Sequence, residues 1–134
     1  MTDQEALRQQ LASMADKGRR ALRAAEEHLA RKDSDFASSK AYYAVFHFMQ
    51  AALLTKGKTY SKHAGVVSGF SEQFIKPEIF PAEFGEGIQK LRKDRELGDY
   101  GYQLTVSIEE AGHDVETARV VIEKIAEYLQ PFLR

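Results

Sequence analysis

Apolar residues recur every three or four positions along the first part of the chain. This spacing places them on one face of an α-helix. The opposite face carries charged residues such as Arg8, Asp16, Arg20 and Glu27. The apolar positions are Leu7, Leu11, Met14, Gly18, Leu22, Ala25 and Leu29. The pattern predicts a long amphipathic helix over residues 3–31, which needs a partner to cover its apolar face.

The next segment, residues 36–56, is apolar on nearly every side around its middle. A helix of that kind packs against neighbours on several sides, so we expect it to be the central helix of the fold. Short polar side chains at residues 32–35 predict a break and a helix N-cap before it. Gly57 is expected to end the helix, because glycine adopts the left-handed conformation at little cost.

Three more helices are predicted after a basic connection. A short one covers residues 63–75, and a bent linker with two prolines follows at residues 76–81. The fourth helix begins at Pro81, since proline suits a first turn, and has apolar positions Phe84, Ile88 and Leu91. Two glycines and two tyrosines interrupt the helical pattern over residues 98–104. The last helix, residues 107–129, has the regular apolar seam of a bundle or a helix–helix dimer.

These patterns predict an all-α protein, an antiparallel up-and-down bundle of four main helices plus a short fifth. With 134 residues, we expect a single domain over 1–134. The absence of cysteine excludes disulfides and cysteine nucleophiles and is compatible with a cytoplasmic protein, which we expect here. A net charge of −1 argues against a DNA-coating protein. The longest apolar run, 41–54, is too short to span a bilayer, and the N-terminus lacks the apolar segment of a signal peptide, so no membrane partner is expected.

Arg95 interrupts the apolar spacing of the fourth helix, because the next step of four after Leu91 lands on it. Two interpretations stay open. Arg95 forms a helix-end ion pair with Asp99, four residues later, or its planar donor fork binds a phosphate. In the second case Tyr100 and Tyr102, on a glycine-flanked turn, are candidate catalytic residues with it, and Asp99 lies in the same binding site.

Other candidates for binding RNA or a nucleotide lie on the second and third helices. Lys40 is three residues before Tyr43 and shares a helix face with it, although a solvated charge explains Lys40 equally well. Lys62 and His63 begin the third helix, where a cap or surface role is the alternative. Adjacent Tyr42 and Tyr43 point to different sides, so we expect one in the core and the other more open. A basic run in the fourth helix, Lys90, Arg92, Lys93 and Arg95, also suits a solvated face.

Neither a metal nor a cofactor is expected. The four histidines share no metal-binding spacing, and no HExxH occurs. His47 is predicted to be a core histidine, whereas His28 and His113 are predicted to be surface residues. P-loop, dinucleotide-binding and GxSxG motifs are also missing from the sequence.

Three segments resemble the HEPN superfamily, in particular a prokaryotic branch associated with minimal nucleotidyltransferases. Residues 95–102 read RELGDYGY and resemble its signature; residues 38–47 (SSKAYYAVFH) and 62–70 (KHAGVVSGF) resemble its second and third helices. The resemblance extends over about residues 5–130. It implies a helical bundle that forms a homodimer with a shared cleft. Many members are metal-independent ribonucleases and toxins whose antitoxin is a nucleotidyltransferase encoded beside them.

One position departs from the family motif. In that motif an Arg is followed, after four to six intervening residues, by a His. Arg95 matches the Arg, and Tyr102 matches a Tyr that the partner modifies in one group, but Tyr100 stands at the position of the His. Because a phenol with a pKa of about 10 transfers protons poorly near neutral pH, this substitution weakens the expectation of nuclease activity. Two functions therefore stay open: an RNA- or nucleotide-directed toxin, as a metal-independent endoribonuclease, or a non-catalytic dimeric partner of a nucleotidyltransferase.

Overall fold

The part of the chain that the structure, a computed structural model, describes consists of residues 1–100, 102 and 105–134, without the side chain of Tyr100. Five α-helices and a π-helical turn account for most of it, and these described residues include no β-strand. The helices are α1 (Asp3–Ala30), α2 (Ser34–Leu54), α3 (His63–Phe70), α4 (Ala82–Tyr100) and α5 (Ile108–Leu133). The π-helical turn, Ser71–Ile75, continues α3. The predicted all-α class is confirmed.

Contacts between helix ends give the direction of each main helix. Near the starts of α2 and α5, Ser38 Oγ donates to Asp114 Oδ2 at 2.8 Å. At the other end, the hydroxyls of Thr55 and Tyr128 are 2.8 Å apart, so α2 and α5 run parallel. The end of α4 meets the start of α2, where Gly98 approaches the Asp35 backbone, and α4 is therefore antiparallel to α2. Since a short turn joins α1 to α2, the predicted up-and-down arrangement of four main helices plus a short one is confirmed.

The second helix is the centre of the bundle. It packs against α1, α3, α4 and α5, and most of its residues are buried. Gly57 follows it with φ +70°, as predicted. Its N–H donates to the Leu54 carbonyl at 2.9 Å, and the Lys58 N–H donates to the Leu53 carbonyl at 3.1 Å. This pair of hydrogen bonds satisfies the last carbonyls of the helix. None of the described helices is long and apolar enough to span a membrane.

The start of α2 differs from the predicted side-chain cap. Asp33 occupies the N-cap position, but its side chain makes no capping hydrogen bond. Ser34 Oγ instead donates to the Val106 carbonyl at 2.6 Å, and Asp35 Oδ1 accepts from the Val106 N–H at 3.0 Å. The polar residues of this turn therefore hold the segment that leads into α5, because that segment offers backbone partners which the cap prediction did not consider.

Two helices end later than predicted. In α4 the helix passes through Gly98 to Tyr100. A Cβ at Gly98 would lie 2.8 Å from the Asp35 carbonyl oxygen, so this glycine permits close helix packing and does not end the helix. In α5 the helix continues past residue 129, through Pro131, to Leu133, and the rings of Tyr128 and Phe132 pack in its last turns. Most of the remaining residues predicted to be irregular, 101, 103 and 104, lie outside the described residues.

Candidate functional site

Arg95 lies near the end of α4 with its side chain only 12% exposed. Its Cζ is 5.2 Å from the centre of the Tyr42 ring and 5.8 Å from that of Tyr43. Nη1 is 3.6 Å from Asp99 Oδ2, a separation longer than an ordinary N–H···O hydrogen bond. The predicted ion pair therefore exists, but the guanidinium is also held by cation–π contact with two tyrosines of the central helix.

Tyr42 and Tyr43 are adjacent residues of α2 with different surroundings. Tyr42 is fully buried and Tyr43 is half-buried, which confirms that one of the two lies in the core. Their rings meet edge to face with centres 5.5 Å apart. The pair forms an aromatic surface on α2 against which side chains from α3 and α4 pack.

His63, the first residue of α3, contacts the same two tyrosines. Its ring stacks on Phe46 with centres 4.1 Å apart and lies 5.8 Å from Tyr42 and 5.7 Å from Tyr43. Nδ1 is 3.2 Å from the Tyr42 hydroxyl, so one hydrogen bond joins the two groups. The imidazole of α3 and the guanidinium of α4 are thus brought together by two neighbouring rings of α2.

Burial and nearby charge set the protonation states of these groups. Burial lowers the pKa of His63 below its usual 6.5, and the positive charges of Arg95 and Arg92 lower it further. Burial raises the pKa of Tyr42 above 10, and the two arginines oppose that rise. Near neutral pH the site therefore contains a neutral imidazole and a protonated phenol beside the arginine cations.

Arg92 is a site residue that the sequence analysis did not single out. It lies one turn before Arg95 on α4 and is half-buried. Its buried Nε has no hydrogen-bond partner among the described residues. The three-residue spacing from Arg95 was the available signal, but a solvated basic run explained it equally well. We refer to Tyr42, Tyr43, His63, Arg92 and Arg95 as the Arg95 cluster.

The remaining predicted site residues lie outside this cluster or outside the described residues. Lys40 and Lys62 are exposed, the former one turn before Tyr43 and the latter beside His63. Tyr102 is 95% exposed and so does not pack into the cluster within one chain. The side chain of Tyr100 lies outside the described residues. The structure thus brings together Arg95, Tyr43, His63 and Asp99.

A second polar cluster is buried between α2, α4 and α5, and the sequence analysis missed it. Asp94 and Asp114 are 2% and 1% exposed. Asp94 pairs with Lys90, and Asp114 accepts from Ser38. Burial and the adjacent Asp94 raise the pKa of Asp114 to about 8.

The spacing within each helix offered a signal for this pair. Asp94 follows the buried Leu91 by three residues, and Asp114 follows the buried Ala111 by three, so both positions belong to apolar seams. The described residues include no group of three or more histidines and acids arranged to hold a metal ion. We interpret the pair as a structural contact that fixes the rotation of α4 and hence the direction of Arg95.

Comparison with known proteins gives the family. The family model described as the HEPN domain matches residues 12–128. The chain belongs to the HEPN family. The resemblance found in the sequence is therefore confirmed over most of the chain.

Relatives of this HEPN domain occur in archaea and bacteria. It is 30% identical over 122 residues to "Putative toxin MJ0142" of Methanocaldococcus jannaschii, covering 91% of this chain and 83% of the relative. It is 33% identical over 97 residues to "Putative toxin MJ0605" of the same organism, covering 72% of each chain. A UPF0332 protein of Thermotoga maritima is 30% identical over 98 residues, covering 73% of this chain and 74% of the relative.

A solved structure has the same fold. The crystal structure of TT1696 from Thermus thermophilus superposes with a TM-score of 0.73 at 17% sequence identity, covering 87% of this chain and 96% of that one. At this identity the likeness concerns the fold alone. It supports the arrangement of helices that brings α2, α3 and α4 to one site.

Proposed function

We propose that this HEPN domain is the toxin of a toxin–antitoxin pair and that it binds and cleaves RNA at the Arg95 cluster without a metal ion. The observation that carries the proposal is the Arg95 guanidinium held over Tyr42 and Tyr43, the two rings that the His63 imidazole also contacts. Two relatives with the word toxin in their names support the biological class.

The charge of the cluster suits a phosphate. Two guanidiniums from one helix face, those of Arg92 and Arg95, supply planar donor forks that match phosphate oxygens. Asp99, at 3.6 Å, offsets part of the Arg95 charge, and the two arginines together leave the cluster positively charged. The half-buried Tyr43 offers a ring edge or face to a base, as aromatic side chains do for single-stranded RNA.

A second copy of the chain would complete the cleft. Within one protomer Lys40 and Lys62 are exposed, and the exposed Tyr102 is available to a partner. In a two-fold dimer such residues from both copies can line one groove. We therefore expect sedimentation to show a dimer at about 10⁻⁵ M, within the range of ordinary homodimer affinities. A monomer at that concentration would contradict the shared cleft.

Arg95→Ala tests the proposed activity directly. We expect the purified protein to cleave a tRNA pool or total RNA in EDTA, and Arg95→Ala to lose at least about tenfold in both RNA affinity and cleavage, as expected when a charged hydrogen-bonding partner of the ligand is removed. Arg95→Lys should fall between them, because it keeps the charge but not the donor fork.

The control variant is Arg119→Ala. Arg119 is an exposed arginine of α5, paired with Glu26 and Glu116, so its loss changes the net charge equally without touching the cluster. Fluorescence anisotropy measures RNA binding, gel electrophoresis measures cleavage, and thermal unfolding shows that each variant is folded. The proposal is wrong if the unmodified protein leaves RNA intact, whether or not it binds nucleotide.

A non-catalytic role as partner of a nucleotidyltransferase is the second candidate. It is favoured by Tyr100 at the position of the motif histidine and by the exposure of Tyr102, whose phenol a modifying enzyme could reach. In that case Arg95→Ala would lower stability and leave no activity to lose. Co-purification with a nucleotidyltransferase encoded beside this chain, and a mass increase abolished by Tyr102→Phe, would favour this role.

A further inference from the structure

We propose that His63 is the proton-transfer group of RNA cleavage at the Arg95 cluster and that Tyr42 is its positioning residue. This inference rests on the proposed function. It assigns to α3 a catalytic imidazole that the motif on α4 lacks, because Tyr100 stands at that position.

The geometry holds the imidazole in one orientation. Its ring stacks on the buried Phe46 with centres 4.1 Å apart. Its Nδ1 is 3.2 Å from the Tyr42 hydroxyl, and Tyr42 is itself fully buried. When Nδ1–H donates to that hydroxyl oxygen, the lone pair of Nε2 is able to accept a proton. Tyr42 also contacts the Arg95 guanidinium at 5.2 Å, so the proposed base and the proposed phosphate ligand share one rigid support.

The charges around His63 favour the neutral form. Cations on α4 face it, uncharged phenols on α2 pack against it, and a second imidazole on α2 lies further off. These titratable and charged groups are Tyr42, Tyr43, His47, Arg92 and Arg95. A phosphate bound to Arg95 would bring negative charge and raise the pKa of His63. The imidazole would then accept a proton more readily once substrate is in place.

The proposed step is internal transesterification of RNA. His63 Nε2 takes the proton of a ribose 2′-hydroxyl while the 2′-oxygen forms a bond to the adjacent phosphorus. The bond from phosphorus to the 5′-oxygen of the next nucleotide breaks, and that oxygen takes a proton from the imidazolium or from water. The products are a 2′,3′-cyclic phosphate and a 5′-hydroxyl. Arg95 and Arg92 would stabilise the negative charge that develops on the phosphate oxygens.

Among the described residues, the other groups fit this role less well. Tyr42 has a raised pKa and stays protonated near neutral pH, so it cannot act as the base. The ring of His47 meets Phe46 edge-on at 5.8 Å, and its hydrogen bond is to Gln50 on its own helix. His63 is the imidazole that contacts both tyrosines.

The test compares His63→Ala and His63→Gln with the unmodified protein in metal-free RNA cleavage. We expect a loss of at least about 100-fold in the cleavage rate, as is typical for removing a general base, and less than about threefold in RNA affinity. Added imidazole should restore part of the activity of His63→Ala. His113→Ala, which replaces a histidine of α5 outside the cluster, is the matched control and should cleave normally.

A pH profile separates catalysis from a merely structural role. The acid limb of kcat/KM, which reports the free protein, should follow the pKa of His63, below 6.5. Arg92→Gln removes a positive charge that lowers that pKa, so it should shift the acid limb to higher pH. Tyr42→Phe should lower the rate at its optimum without changing RNA affinity to the same degree.

The outcomes distinguish this inference from the proposed function. If the unmodified protein does not cleave RNA, both fail. If Arg95→Ala abolishes cleavage but folded His63→Gln and His63→Ala remain active, only the role of His63 is wrong. An acid limb that does not move in Arg92→Gln, or products without a 2′,3′-cyclic phosphate, would also overturn it.

Discussion

Gly18→Ala is expected to lower the free energy of unfolding by about 2 kcal/mol, the typical cost of overpacking a well-filled core. A Cβ at residue 18 would lie 2.5 Å from Phe48 Cδ2 and 3.1 Å from the Ala44 carbonyl oxygen. Phe48 is fully buried and cannot move aside, and the carbonyl belongs to the central helix. The clash therefore separates α1 from α2, although alanine favours a helix by about 1 kcal/mol over glycine.

Two companion variants show whether this clash is the cause. Gly112→Ala places a methyl group where, apart from its own helix backbone and chain neighbours, no atom lies within 4 Å, so we expect a gain of up to about 1 kcal/mol from helix propensity alone. Phe48→Leu makes room beside Gly18, and the double variant should be more stable than the two single effects predict by at least about 0.5 kcal/mol. Urea unfolding followed by circular dichroism gives all four values. Additive effects of Gly18→Ala and Phe48→Leu would contradict the packing explanation.

The fold was predictable because apolar spacing reports burial along each helix separately. The stripe that begins at Leu7 identified the buried face of α1, and the apolar middle of residues 36–56 identified the central helix. Helix ends were harder to predict, since they depend on neighbours distant in sequence. Gly98 looks like a helix breaker in the sequence, yet it lies within α4, where the absence of a Cβ lets the Asp35 backbone pass close to the helix.

The site was predictable only in part, for the same reason. Arg95 could be identified because a cation occupies an apolar position of α4, and the spacing within that one helix reveals it. The contact between His63 and Tyr42 joins residues 21 positions apart on different helices, so spacing within one helix could not reveal it. Arg92 was missed because the spacing along α4 does not show whether its side chain faces solvent or the Arg95 cluster. The structure therefore added the contacts between residues of different helices.

The contact between Asp114 and Asp94 also joins two helices, so spacing within one helix could not reveal it. The prediction with the largest effect concerns Asp114. Two acids at seam positions of separate helices look like interruptions until α4 and α5 are placed side by side. Ser38 then donates to Asp114, Lys90 pairs with Asp94, and the protonated carboxyl of Asp114 can donate to the Asp94 carboxylate. The raised pKa of Asp114 follows from its burial beside another acid.

Asp114→Asn should remove a loss of stability that the unmodified domain suffers as pH rises. The pKa of Asp114 increases from 3.8 to about 8 on folding, so between these values the folded state binds a proton that the unfolded state has lost. Its stabilising effect is complete below about pH 4 and decreases by up to about 1.4 kcal/mol per pH unit toward pH 8. Asparagine keeps the shape, the acceptor for Ser38 and a donor for Asp94, but it does not ionise.

The difference in unfolding free energy between Asp114→Asn and the unmodified domain, measured in urea from about pH 5 to 9, cancels the titrations that the two proteins share. We expect the variant to gain steadily up to about pH 8 and then to remain constant. Asp94→Asn is the contrasting variant, because it removes the carboxylate that pairs with Lys90, and it should be destabilised already at about pH 5. A difference for Asp114→Asn that does not change with pH would mean that Asp114 is ionised in the folded domain, and the shared proton between α4 and α5 would then be wrong.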